Sequence, residues 1–160
     1  MREPHLFLTS MCQAGKVDDI VVMVEPVLPH LDGIVWTLND CSADDPGARY
    51  LESVKGTGKV VHRPWASGRH NVGMNDTLYC GGIEEGDYVL WCDLLEHPRA
   101  EFVSRIKTEI KEGYRLPAPP TPELRFLYDQ AASAEDRPLA EGYPTHRRGF
   151  SGGEYRRMAA

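Results

Sequence analysis

The sequence predicts an α/β sandwich: a mostly parallel central sheet with helices on both faces. Three observations carry this. Four short runs rich in Val, Ile, Leu, Trp or Tyr recur at similar intervals, and segments of helical spacing separate them. The runs around Val35 and Leu90 are almost continuously apolar, which suits strands covered on both faces, as in a parallel sheet. Strand and helix alternating in this way is the α/β pattern, and right-handed crossovers then place helices on both faces.

The strand readings are His5 to Met11 (HLFLTSM), Gly33 to Asn39 (GIVWTLN), Lys59 to Trp65 (KVVHRPW) and Asp87 to Asp93 (DYVLWCD). Between the first two, GKVDDIVVMVEPVLPHLD puts Val17, Ile20, Val21, Val24, Leu28 and Leu31 on one helical face. Val21 and Val22 would also suit a strand; helix is the reading adopted. Pro26 and Pro29 conflict with an unbroken helix, so a kink or an early end is expected there. The second helix lies in DDPGARYLESVKG. Asp44 or Asp45 can cap it, Pro46 fits its first turn and Gly56 is placed to stop it. A third runs from about Asn71 to Cys80, ended by Gly81 and Gly82. In the fourth, Pro98 opens the segment, Phe102, Val103, Ile106 and Ile110 form the stripe, and Gly113 closes it.

After Tyr114 the character changes. RLPAPPTPE reads as an extended connector, and Thr121 and Pro122 can start a short helix carrying Leu124, Leu127, Tyr128 and Ala131. The organisation expected is therefore a core over 1–116 and, over 117–160, a connector, a short helix and a basic C-terminal segment packing on or near the site. From Thr145 onward, Arg147, Arg148, Arg156 and Arg157 face Glu154 alone. That basic stretch could meet a phosphate; a solvated tail would use the same residues.

Bulk properties narrow the function. The chain has 160 residues, enough for one domain with a core. A net charge of −6 argues against nonspecific nucleic-acid binding. No apolar run is long enough for a membrane span, and the N-terminus has no secretory apolar region, so a cytoplasmic protein is expected. Cys12, Cys41, Cys80 and Cys92 are widely spaced with no C-x-x-C, which favours buried free thiols over a zinc knuckle or disulfides.

Ligands of parallel sheets sit at the carboxyl ends of strands, near the point where strand order switches. The loops after Met11, Asn39, Trp65 and Asp93 are therefore the ones that matter. They hold no G-x-G-x-x-G, no G-x-x-x-x-G-K-[ST] and no G-x-S-x-G, which sets aside the dinucleotide fingerprint, the P-loop and the nucleophile elbow. What remains is acid at strand ends: Asp40 and Asp93.

GIVWTLNDCSADDPG resembles the end of the second strand in family 2 glycosyltransferases of the GT-A fold, whose usual form is an apolar strand followed by D-D-G-S-x-D. Asn39 and Asp40 fall on the two acidic positions, Ser42 on the serine and Asp44 on the last acid. GRHNVGMNDTL is similar to the family's arginine–asparagine stretch, with Asn71 on the asparagine. GDYVLWCDLLEHP is similar to the strand that ends in D-x-D, with Asp93 on the first acid. The resemblance covers about Leu6 to Lys111 and implies a Rossmann-like GT-A sandwich whose core binds a nucleoside diphosphate sugar and passes the sugar to an acceptor.

It also implies roles. Thr9, Asp40, Asn71 and Asp93 would contact the nucleotide, and a carboxylate at Asp40 can accept hydrogen bonds from base or ribose. A turn aspartate would be read from the same letters. A divalent cation, Mn²⁺ or Mg²⁺, would offset charge on the leaving diphosphate. Leu95 stands where the family has its second acid, so Asp93, Glu96 and His97 are the candidate ligands; a first-turn Glu96 facing a helix dipole is the alternative. Asp136, in SAEDRPLAEG, would be the general base, and Arg147 and Arg148 would grip the diphosphate. A nucleotidyltransferase of similar fold is a related possibility, with only Lys16 to offer in its first loop. From another class, the chain could be a non-catalytic nucleotide-sugar-binding module, a degenerate or truncated transferase fold.

Overall fold

The computed structural model of the protein describes residues 2–63, 76–84, 86–113 and 153–157, the last as backbone alone. The first strand, β1 (Leu6–Cys12), runs into helix α1 (Val17–Val24) and a 3₁₀ turn, Leu28–His30. Next come β2 (Gly33–Asn39), α2 (Pro46–Val54) and β3 (Lys59–Arg63). Helical residues 76–80 (α3) precede β4 (Asp87–Trp91), α4 (Ala100–Lys111) and β5 (Gly153–Arg157). The five strands form one sheet in the order β3-β2-β1-β4-β5, with every pairing parallel. The expected α/β sandwich is thus the observed fold.

Differences from the expected elements are local. The first helix stops at Val24, ahead of Pro26, and Pro29 sits in the first turn of the separate 3₁₀ segment. This follows from the missing proline N–H and the ring's clash with the preceding turn. The fourth strand ends at Trp91 rather than Asp93. The third is described as far as Arg63; its expected end at Trp65 lies outside the described residues. Residues 153–157, expected in a basic C-terminal segment packing on or near the site, pair with β4 as β5. Gly56 has φ 57°, the left-handed conformation that ends α2 as anticipated.

Strand periodicity separates two faces. On one, Leu6, Leu8, Ile34, Trp36, Leu38, Val60, Tyr88 and Leu90 pack beneath Ile20, Met23 and Val24 of α1, Ala48 and Leu51 of α2, and Val103 and Ile110 of α4. Trp36 is fully buried there, and its Nε1–H donates to Cys12 Sγ at 3.3 Å. On the other face, Val89 and Trp91 pack with Leu78 of α3, together with Met11, Tyr79 and Ile83. Gly81 lets α3 end close against β2: a Cβ there would lie 2.2 Å from Val35 Cγ1 and 2.3 Å from the Thr77 carbonyl oxygen. Among the described residues no helix is long and apolar enough to cross a membrane.

The amino end of the sheet is fastened by two carboxylates. Asp32 accepts the Leu6 N–H at 2.7 Å and pairs with Lys107 of α4. Asp87 opens β4 with its side chain almost wholly buried. It accepts from the Arg2 guanidinium at 2.7 Å and from the His5 and Glu84 N–H groups, each at 2.9 Å. The loops that leave the strands lie at the opposite, carboxyl end.

Candidate functional site

Strand order reverses beside β1: the chain moves from β1 to β2 to β3 in one direction, then returns to lay β4 against the other edge of β1. Loops leaving the carboxyl ends of β1 and β4 diverge at such a point and leave a crevice. Asp40 follows β2 and Asp93 follows β4, so both stand at this end of the sheet, on the strands that flank β1. Two strand spacings put their strands about 10 Å apart. Extending the registers Trp91↔Thr9 and Leu38↔Cys12 sets Asp93 level with Met11, and Asp40 three positions farther toward the rim. A ligand touching both must be extended and lie obliquely across β1.

Asp40 is exposed and has φ 49°, a left-handed conformation uncommon for any residue but glycine. Its N–H donates to the Arg63 carbonyl at 2.9 Å, the last rung between β2 and β3. Sparsely populated backbone conformations of this kind persist where surrounding structure holds them, and they gather at ligand sites. Just before it, Asn39 is nearly fully buried.

Asp93 is half-buried, with Oδ1 withdrawn from solvent. It begins a tight turn in which the Glu96 N–H donates to the Asp93 carbonyl at 2.8 Å. In return Glu96 Oε2 accepts the Asp93 N–H at 2.8 Å. Leu95 projects from the tip of this turn, 72 % exposed, and His97 is exposed beyond it. Glu96 lies ahead of α4, so it is not a first-turn acid of that helix; its Oε2 closes the Asp93–Glu96 turn. Among the described residues no group of three or more His, Cys, Asp or Glu side chains could hold a metal ion, so Asp93, Glu96 and His97 are not gathered into a cage. With Leu95 in the place of a second acid and Glu96 Oε2 already bonded to a backbone N–H, these three residues do not fit the cation that the resemblance implies.

Thr9 belongs elsewhere. It is fully buried in mid-strand and its hydroxyl donates to the Leu90 carbonyl at 3.3 Å, tying β1 to β4 below the rim. Its hydroxyl does not reach the rim as a nucleotide contact would require. Asn71, Asp136, Arg147 and Arg148 lie outside the described residues. β5 carries Arg156 and Arg157 to register with Leu90 and Trp91, at the carboxyl end of the strand next to Asp93's own. Positions 156 and 157 of the basic stretch thus reach the carboxyl end of the sheet through a parallel strand.

The β1–α1 loop is tied to the start of α2 through Gly15. Asp45 caps α2, accepting the Gly47 N–H at 2.8 Å with one oxygen and the Gly15 N–H at 2.9 Å with the other. The Gly15 bond, joined by those of the α2 start, holds the Asp45 carboxyl below the ordinary carboxylate range. Nearby Cys12 is buried, and burial pushes its thiol up to about 11. Burial and the neighbouring Asp45 raise Cys41 as well. All four cysteines are free thiols, and these two are poor nucleophiles in this setting.

Comparison with protein-family models, with curated proteins and with solved structures finds no match to this chain.

Proposed function

We propose that this chain binds a nucleoside diphosphate sugar across the carboxyl rim of its sheet and transfers the sugar to an acceptor. One observation carries the reading: two acids on the strands flanking β1 stand at the same end of a parallel sheet, where strand order reverses. Asp40 accepts hydrogen bonds from the base or ribose, and Asp93 lines the crevice nearer the diphosphate. Anionic phosphates find counter-charge at the β5 end, where Arg156 and Arg157 arrive. In the transfer, the bond from the anomeric carbon to the diphosphate oxygen breaks and the acceptor oxygen bonds to that carbon. The acceptor's proton passes to a base, for which the sequence resemblance points to Asp136, and the diphosphate departs.

A second reading, donor binding without turnover, is favoured by the Asp93–Glu96 turn. Its Glu96 carboxylate is committed to a backbone N–H, and Leu95 occupies the position of a second acid.

Both readings are tested by following the melting temperature with UDP-, GDP- and TDP-sugars, with and without Mn²⁺, alongside donor hydrolysis. A ligand that binds only the native state at a hundred times its Kd stabilises by about 2.7 kcal/mol. Stabilisation with slow hydrolysis supports the transferase, and stabilisation alone supports the binding module. Absence of any response to nucleotides would remove both. A response that needs Mn²⁺ and is abolished in Asp93→Ala would restore the metal role that the side-chain positions disfavour.

A further inference from the structure

The residue on which Asp40 hangs is itself held in an unusual way. Arg63, at the carboxyl end of β3, is 1 % exposed, and its Nη1 donates to Asp76 Oδ2 at 2.9 Å; Asp76 is 0 % exposed. The next residue of α3, Thr77, shares a 2.8 Å hydrogen bond between its hydroxyl and that of Thr37 in β2, again fully buried. Two consecutive residues of one helix thus bridge to two neighbouring strands, on the sheet face opposite α1 and α2. Directly above this clasp, the Arg63 carbonyl accepts the Asp40 N–H.

Burying two opposite charges is a poor way to add stability, because an apolar pair of similar volume often does as well or better. What a hydrogen-bonded pair supplies and an apolar pair does not is direction. Here the direction is spent on the strand end that presents Asp40 in its left-handed conformation. A groove residue on a loop is placed well only when the elements beneath it are fixed.

We infer that the Arg63–Asp76 pair, with the Thr37–Thr77 hydroxyl bond, is a positioning device that holds the end of β3 so that the Arg63 carbonyl fixes Asp40 in its ligand-ready conformation. Arg63 and Asp76 act here as positioning residues, through the end of β3. The nucleotide consequence rests on the function proposed above; the structural consequence does not.

The test uses the whole 160-residue chain and the paired substitution Arg63→Met with Asp76→Leu, which removes the two charges of the pair together. Two quantities are read: hydrogen exchange at the Asp40 amide, and the Kd for the nucleoside diphosphate that stabilises the wild type. In the folded variant the Asp40 amide should exchange at least tenfold faster than in the wild type. Nucleotide affinity should fall roughly tenfold, the loss expected when one hydrogen bond to a charged group is no longer held in place. Arg63→Lys, which keeps a cation opposite Asp76, should fall between the two, and it carries the test if the paired variant does not fold. Wild-type exchange at Asp40 in a folded variant would overturn the inference. If the wild type binds no nucleotide, the functional reading fails by itself and the exchange measurement still decides the positioning claim.

Discussion

At the scale of single residues, Asp40 is where stability and the proposed ligand contact pull apart. An L-residue in the left-handed region is strained relative to glycine, even though aspartate tolerates it better than most. Replacing it should therefore separate two effects. Asp40→Gly relaxes the backbone and is expected to stabilise the fold by up to about 1 kcal/mol. It should also abolish most of the nucleotide-linked rise in melting temperature. Urea unfolding with and without nucleotide measures both. A variant that is less stable, or that keeps the full ligand response, would contradict this account. The acid itself was legible in the sequence, because it ends an apolar run that could only be a strand. Its φ was not, since N-D-C-S carries no glycine to announce a left-handed turn. The Glu96 bond was not legible for a related reason: whether a carboxylate three residues from Asp93 folds back onto a backbone N–H depends on the turn.

At the scale of elements, the amino end of β4 is held through Asp87, and this makes an acid-sensitive joint. Burial pushes the Asp87 carboxyl up, but the Arg2 guanidinium and the His5 and Glu84 N–H groups outweigh it and leave the group below its ordinary value. A carboxyl whose folded-state pKa lies below its unfolded one contributes fully above the unfolded value, near 4, and loses that contribution as pH falls through the folded value. Stability should thus decline as pH drops below about 4. Asp87→Asn should lower the melting temperature at pH 7 and flatten this acid limb; an unchanged limb would show that other carboxylates govern it. Strands β1, β2 and β4 were readable because each is a run buried on both faces, and α2 because Asp45, Pro46 and Gly56 punctuate it. The Arg63–Asp76 clasp was not readable. Charged residues are seldom fully buried, and nothing local tells that an arginine ending one strand will meet an aspartate on the following helix.

For the whole molecule, the least legible feature is β5. GEYRR offers no apolar alternation, and it joins the sheet far along the chain from β4, so only tertiary pairing reveals it. Its presence changes what β4 is. DYVLW lies between two neighbours, whereas without β5 it would be an apolar edge with unpaired N–H and C=O groups. A chain ended at residue 152 should melt lower and scatter light on standing at concentrations where the full chain stays clear. Equal behaviour of the two chains would argue that β5 contributes no cover.

Asp45 has a consequence for the direction from which a ligand can come. Helix starts carry partial positive charge and commonly draw phosphates. Here the protein's own ionised carboxylate sits on the α2 start and also takes the Gly15 N–H, so that berth is already filled by an internal anion. A diphosphate bound as proposed would meet repulsion there and find the side of β1 where the β4 and β5 ends lie the more favourable. The α2 start is thus answered from within, by the chain's own acid.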